Sequence, residues 1–419
     1  MAEAPTSFPK SKIRIVLLEG VHEDGRAMLE REGFDVETRP GALEGDALRE
    51  VASGAHVIGV RSKTQLTREL IEHAPRLLGI GCFCAGTNQV DLPAAAALGI
   101  PVFNAPFSNT RSVAEMTIAE VIALHRRMFD RSAQMHAGRW NKSASGSHEV
   151  RGRTLGIVGY GHIGSQVSVL AEALGMRVIY YDIQPKLPLG NARPAPSLES
   201  LLREADTVTL HVPATPATDG MLDAGRLALM KPGAMLINNA RGGVVDNDAL
   251  AAALREGRLG GAALDVFPVE PASTSEPFDS VLRGAPNVIL TPHVGGSTIE
   301  AQSAIAQEVA GKLTRFINDG STIGAVNVPQ VDLPGQGERA DEAPGQRPHR
   351  ILHFHKNVPG VLSRMHEVIA SCGANVSGEY LRTEGELGYV VLDVDPTDAQ
   401  AIVEPLRQIP ETIRTRVLW

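Results

Sequence analysis

The chain has 419 residues, long enough for two or three domains, and its 43% hydrophobic and 21% charged residues are ordinary for a soluble globular protein. The formal net charge is -8 with no basic block, which disfavours nucleic-acid and anionic-membrane partners, and no apolar run approaches the ~18 residues of a membrane span. The polar start, Met1 to Lys12, lacks the apolar core of a secretion signal, and Cys82, Cys84 and Cys372 fit neither a disulfide framework nor a zinc site, so a cytoplasmic protein without a metal is expected.

In chain order, β-type runs at 12–19, 36–38, 56–60, 77–81 and 101–104 alternate with helical patterns at 24–32, 43–53 and 91–98. Strands alternating with helices predict a parallel α/β domain. The third run delivers Arg61, Ser62 and Lys63 at its C-terminal end. At Ser112-Val-Ala-Glu115 the pattern predicts a capping box that opens a long helix to about Phe129, apolar on nearly every side.

The run Leu155 to Val158 leads directly into Gly159-x-Gly161-x-x-Gly164, then into a helical stretch from Ser165 to Leu174. A second apolar run, Val178 to Tyr181, ends in Asp182. This is the layout of a dinucleotide-binding βαβ unit. Gly159 permits the tight turn, Gly161 lets the backbone approach a pyrophosphate, and Gly164 lets the helix lie close to the sheet, with its N-terminus facing the phosphates. A carboxylate at Asp182 accepts both ribose hydroxyls and repels a 2′-phosphate, which favours NAD over NADP. Alone, the glycines also suit a tight turn with no ligand. The flanking strand, the helix and Asp182 are what point to a dinucleotide.

Further strands at 206–211, 233–238, 261–266 and 288–290, with helices at 222–229 and 246–255, complete a second doubly wound domain. Ser297-Thr-Ile-Glu300 predicts another capping box, opening a helix through Ile305, Val309, Leu313, Phe316 and Ile317 that Gly320 ends. Two such helices suit the two crossings that an inserted domain needs. The expected division is therefore 1–108 with 297–330, an inserted 109–296, a Pro/Gly-rich linker 331–347, and 348–419. In the last segment the order βαββαβ, with a hairpin around Thr383-Glu-Gly-Glu386, predicts a ferredoxin-like unit. The fold class is α/β, with two doubly wound parallel-sheet domains and a third, smaller domain.

Arg241, Glu270 and His293 each follow a strand of the inserted domain, where ligands bind in an open α/β sheet. Arg241 offers a planar, permanently charged fork to a carboxylate. His293 alone titrates near neutrality and is the acid–base candidate. Glu270 suits the other imidazole N–H, fixing the tautomer and raising the pKa. Singly, each also reads as a surface or loop residue. Together, beside the glycine loop, they describe a site for hydride transfer in which His293 takes the proton of an alcohol. A metal held by His293 and Glu270 lacks a third ligand at metal-like spacing.

Arg241-Gly-x-x-Val-Asp246, Asp265-Val-Phe-Pro-x-Glu270-Pro and Thr291-Pro-His293-x-Gly-Gly resemble the signatures of the D-isomer-specific 2-hydroxyacid dehydrogenases. Three longer stretches, Gly81 to Asp91, Val102 to Glu115 and Tyr181 to Gly190, resemble the branch that acts on 3-phosphoglycerate and carries one C-terminal ACT domain. The likeness runs from Ile13 to Trp419. It implies a substrate domain, an inserted NAD-binding Rossmann domain and a regulatory ACT domain. It also implies NAD-dependent oxidation of 3-phosphoglycerate to 3-phosphohydroxypyruvate, the entry to serine synthesis.

The resemblance implies NAD contacts at Gly159, Gly161, His162, Ile163, Gly164, Asp182, Asn239, Ala240, Arg241, Asp265, His293, Val294, Gly295 and Gly296. Ala240 stands where the family often has Ser or Thr. Substrate contacts fall on Arg61, Ser62, Lys63, Asn109, Lys142 and Arg241, and L-serine as effector falls on His355, Asn357 and Asn375, between paired ACT domains of a homotetramer. Asn357 also suits a turn ahead of Pro359-Gly360, and His353-x-His355 also suits a metal pair. Two other readings stay open. One is another D-2-hydroxyacid dehydrogenase, such as a 2-oxoglutarate reductase. The other is a dinucleotide-sensing corepressor, against which the Arg/Glu/His trio argues.

Overall fold

Apolar runs of four or five residues at regular intervals leave little choice but buried parallel strands, and the computed structural model is built on two such sheets. It describes residues 9–271, 276–334, 348–395 and 399–418. The chain divides into two units, one of residues 1–108 and 302–419, the other of residues 109–301.

In the first unit, β1 (Arg14–Leu17), β2 (Asp35–Thr38), β3 (Val57–Val60), β4 (Gly79–Cys82) and β5 (Val102–Asn104) form a sheet of order β2-β1-β3-β4-β5. All pairings are parallel. The central strands β3 and β4 are buried at every position, as strands covered on both faces must be. Gly81 is one reason the cover fits. A Cβ there would lie 2.9 Å from Leu313 and from Val309, so helix Ile299–Asp319 rests directly on the strand.

In the second unit, β6 (Thr154–Val158), β7 (Arg177–Tyr181), β8 (Arg193–Pro194), β9 (Thr207–Leu210), β10 (Met235–Asn238), β11 (Gly261–Leu264) and β12 (Val288–Leu290) take the order β12-β11-β10-β9-β6-β7-β8. This sheet is also parallel throughout. The strand order reverses between β6 and β9, which makes the end of β6 the switch point where a ligand crevice opens. Short β8, with Pro194 at the sheet edge, escapes the periodicity because two residues carry no pattern.

Both expected capping boxes are corrected. The first helix starts at Thr110 with no side-chain cap, and Glu115 pairs with Arg111. Ser112 instead shares a 2.8 Å hydroxyl bond with Thr298. Thr298, one residue after the expected Ser297, accepts from the Ala301 N–H and caps helix Ile299–Asp319. The first helix also ends early. Arg127 is left-handed (φ 51°) and a separate helix, Met128–His136, follows with no buried residue. Nothing in the apolar count announces such a break.

The C-terminal strands β13 (His349–Lys356), β14 (Val376–Glu384), β15 (Leu387–Val394) and β16 (Thr412–Val417) form an antiparallel sheet of order β14-β15-β13-β16, the ferredoxin-like arrangement. Strand β15 is buried along its whole length because both faces are covered. Helices Val361–Ser371 and Ala399–Arg407 cover one face through Met365, Ile369, Ile402 and Leu406. The other face shares a core with the first unit, where Leu352, Phe354 and Tyr389 meet Leu313 and Phe316. Of the expected linker, Val331 is fully buried in that core, and residues 335–347 lie outside the described residues.

Polar contacts reinforce this join. The Tyr389 hydroxyl donates to the Gly320 carbonyl at 2.6 Å, and Arg416 donates to the Ile317 carbonyl at 3.0 Å. Arg350 is fully buried and pairs both ways with Asp393 at 2.7 Å, while donating to the carbonyls of Asp319, Leu333 and Pro334. A guanidinium at a helix C-terminus satisfies carbonyls that have no partner within the helix. Among the described residues no helix is long and apolar enough to cross a membrane. Arg350→Ala strips the counter-charge from buried Asp393 and is expected to lower stability by about 3–5 kcal/mol, read as a lower urea midpoint.

Candidate active site

The glycine loop is shaped by what it cannot hold. Gly159 leaves β6 with φ 91°, and a Cβ there would lie 2.3 Å from the His211 carbonyl oxygen. A Cβ on Gly164 would lie 2.2 Å from the Gly159 carbonyl oxygen. Gly161 differs, since a Cβ on it would meet nothing within 4 Å. That glycine keeps open the space in front of helix His162–Ala173, whose first turn no side chain caps. Open space at the positive end of a 12-residue helix suits a pyrophosphate. Asp182, just past β7, accepts from the N–H groups of Tyr160 and Gln184, both at 2.8 Å. Its carboxylate is thereby held beside the glycine turn. These residues fit a dinucleotide.

Three other strand ends of the same sheet carry Arg241, Glu270 and His293. Fully buried Asn238 ends β10, donates to the Arg241 carbonyl at 3.0 Å and accepts from the Ala240 N–H at 3.1 Å. A Cβ on Gly242 would lie 2.0 Å from the Phe267 carbonyl carbon, so the segment after Arg241 packs tightly on the segment before Glu270. Asp265, past β11, accepts from the Thr291 hydroxyl at 2.7 Å and from the N–H groups of Val294 and Gly295 at 2.8 and 2.7 Å. Those bonds bracket His293, whose backbone is left-handed at φ 54°. A residue with a Cβ held in that region marks strain, and strain collects at functional sites.

His293 and Glu270 meet directly. Nδ1 of His293 lies 2.8 Å from Glu270 Oε2, and Glu270 Oε1 accepts from the Phe267 N–H at 3.1 Å. The hydrogen bond to Glu270 raises the His293 pKa above its usual value, against the opposing effect of burial. Burial works to raise Glu270, but the bonds from His293 and Phe267 outweigh it and hold the carboxyl low. The positive charge of Arg241 bears on both groups, lowering each. Its fork donates to the Ala240 carbonyl at 2.7 Å. With Nδ1 engaged, Nε2 is the nitrogen left to exchange a proton with a substrate. Among the described residues no group of three or more His, Cys, Asp or Glu is placed to hold a metal.

The remaining expected residues are distributed as follows. Arg61, Ser62 and Lys63 follow β3 in the first unit. Asn109 stands at the start of helix Thr110–Arg126 without capping it by its side chain. Lys142 lies in an exposed loop that Arg131 gathers by donating to Asn141, Ser143 and Ser147. His355 lies near the end of β13 and Asn357 just past it, whereas Asn375 precedes β14. Register puts His355 and Thr383 opposite Gly388, while Val376 is opposite Val394. Asn375 is therefore at the far end of the sheet from His355, about 20 Å away at ~3.3 Å per residue. One chain does not bring those three together.

Two polar residues near the site were not expected from sequence. Glu120 and Thr117, on helix Thr110–Arg126, take both Asn239 amide hydrogens, at 2.7 and 3.1 Å. Burial pushes the Glu120 carboxyl up to about 7. The available signal was a glutamate within an otherwise apolar helix face, since a carboxylate is almost never buried without a partner.

Residues 118–295 match the family described as D-isomer specific 2-hydroxyacid dehydrogenase, NAD binding domain, and residues 351–414 match the AHAS small subunit-like ACT domain. The chain is 53% identical over 414 residues to the D-3-phosphoglycerate dehydrogenase of Haemophilus influenzae, covering 99% of each. It is 50% identical over 419 residues to that of Escherichia coli K12, covering 99% of this chain and all of the relative. Among solved structures, the D-lactate dehydrogenase of Aquifex aeolicus, complexed with NAD and lactic acid, is 30% identical with a TM-score of 0.66, over 75% of this chain and 100% of that one. Removing the carboxylate in Glu270→Gln is expected to bring the His293 pKa down from its raised value, checked by an NMR titration of the imidazole.

Proposed function

The chain belongs to the D-isomer-specific 2-hydroxyacid dehydrogenases, and from that premise we propose that it oxidises 3-phospho-D-glycerate to 3-phosphohydroxypyruvate with NAD, the first step of L-serine biosynthesis. The observation that carries the reading is the Glu270–His293 pair, bonded at 2.8 Å at the strand ends of a sheet whose switch point bears the glycine loop. The enzyme is an NAD-dependent oxidoreductase, and the near-complete coverage of relatives named for this activity supports the substrate.

NAD, when bound, supplies the acceptor for the hydride leaving the substrate carbon. The open space at Gly161 admits the pyrophosphate, and Asp182 accepts the ribose hydroxyls and selects against a 2′-phosphate. Backbone and side-chain groups of His162, Ile163, Asn239, Ala240, Asp265 and Val294 to Gly296 line the rest of the cofactor path. Arg241 turns its fork from the Ala240 carbonyl to the substrate carboxylate. His293 Nε2 takes the hydroxyl proton as the carbonyl forms, and Glu270 stabilises the resulting imidazolium. In the reverse direction the same imidazolium returns the proton. Arg61, Ser62, Lys63, Asn109 and Lys142 are assigned to the substrate and its phosphate.

The C-terminal sheet is assigned to regulation by L-serine through His355, Asn357 and Asn375. Their separation along one sheet supports an effector site to which two copies of the chain contribute, in a homo-oligomer proposed to be a tetramer. Asn357 also performs the turn role, donating to the Gly385 carbonyl at 3.0 Å.

The direct test is NADH formation from NAD and 3-phosphoglycerate, with and without L-serine. Turnover suppressed by serine is the expected result, and no turnover with this substrate overturns the reading. His293→Ala should lower kcat by about 10²–10⁴-fold, the usual worth of a positioned acid–base, with NAD affinity nearly unchanged by fluorescence titration. Deleting 348–419 would expose the shared core, so a point change is the cleaner probe of the effector. Asn357→Ala should abolish serine inhibition and keep basal kcat, and persistent inhibition would place the effector elsewhere.

A further inference from the structure

The loop after β3 is tied by its backbone at four successive residues. The Arg61 carbonyl accepts from the Gln89 amide and from the Cys84 thiol, the latter at 3.4 Å. The N–H groups of Ser62, Lys63 and Thr64 all donate to the carboxylate of Glu19, at 3.1, 3.0 and 2.8 Å. Consecutive N–H groups converging on one point form a nest, a backbone concavity that binds phosphate or carboxylate. Here the chain's own carboxylate fills it. Neither Glu19 nor Gln89 touches any group so far given a part in the reaction except through this loop.

Glu19 reaches the nest at a cost in conformation. It is 9% exposed and its backbone is left-handed, with φ 62°, followed by Gly20 at φ 61°. L-residues with a Cβ rarely adopt this region, and Asn, Asp and His are the ones enriched there. Two cross-bonds keep the chain there, from Glu19 N–H to the Gly41 carbonyl and from Gly20 N–H to the Arg39 carbonyl, both 3.1 Å. An unfavourable backbone maintained from both sides, in order to aim one carboxylate at three amides, is a device for holding the loop still.

We propose that Glu19 is a positioning residue for the substrate. By occupying the nest it removes the loop amides from competition for anions and sets Arg61 and Lys63 to meet the substrate phosphate with their side chains. Gln89 anchors the start of the same loop. The proposal rests on the functional reading above, which assigns Arg61 and Lys63 to the phosphate. Its chemistry is specific to a carboxylate. Oε1 serves Thr64 while Oε2 serves Ser62 and Lys63, so a glutamine, with one oxygen and one NH2, sets a donor against at least one of the amides.

The test is steady-state kinetics of the full chain carrying Glu19→Gln, with the melting temperature measured alongside. The expected result is a KM for 3-phosphoglycerate raised about tenfold or more, with kcat within about threefold and the KM for NAD unchanged, the pattern of lost substrate binding. A purely structural role would lower the melting temperature without that split. A folded Glu19→Gln enzyme with an unchanged KM overturns the positioning role and leaves the functional reading intact. If that variant does not fold, Gln89→Leu removes the amide that donates to the Arg61 carbonyl, the Cys84 sulfur and the Gly86 carbonyl while leaving the Glu19 bonds in place, and the same KM rise is expected of it. An unchanged KM there overturns the proposal equally. A wild-type enzyme that forms no NADH from 3-phosphoglycerate overturns the functional reading and this proposal with it.

Discussion

The His293 loop depends on a carboxylate at the end of the preceding strand. Asp265 accepts three hydrogen bonds from the segment Thr291 to Gly295, and His293 lies inside that segment with a left-handed backbone. Such a conformation costs of order 1–3 kcal/mol. Hydrogen bonds to a charged acceptor contribute about 1.5–3 kcal/mol each, so three of them outweigh the strain. The Asp265 bonds therefore hold the His293 backbone, while Glu270 engages Nδ1 and raises the imidazole pKa.

The same solution recurs at three other strand ends. A loop that leaves the end of a parallel strand has no neighbouring strand to pair with, so its N–H and C=O groups need side-chain partners. Asn238 supplies them for Ala240 and Arg241, Asp182 for Tyr160 and Gln184, and Glu19 for residues 62–64. These partners are short or buried polar residues one step removed from the chemistry. They turn flexible loops into fixed frames, and preorganised donors and charges are what lower a reaction barrier.

The C-terminal sheet is joined to the first sheet's unit by a continuous apolar core and by charged donors on the end of helix Ile299–Asp319. Phe354 stacks on Tyr389 at 4.0 Å, and its ring lies 3.0 Å from where a Gly99 Cβ would stand. The C-terminal sheet and the sheet β1 to β5 therefore share one packed core.

Much of this was legible in the chain itself. Strand positions, the glycine loop, Asp182, and the trio Arg241, Glu270 and His293 follow from local pattern, because buried strands need apolar runs and a phosphate turn needs glycine wherever a Cβ would collide. Other features escaped for a shared reason. The Ser112–Thr298 hydroxyl pair displaced two expected capping boxes, Arg127 broke a helix that looked continuous, and Glu120 found an amide partner across the sheet. Each depends on a residue more than a hundred positions away or on a single backbone torsion, and no spacing rule reports either. Sequence alone determined at which strand ends Arg241, Glu270 and His293 stand. Tertiary structure decided which carboxylate holds which loop, that Asn375 is parted from His355 within one chain, and that the last sheet shares its core with the first, because those are matters of contact between segments that periodicity treats as independent.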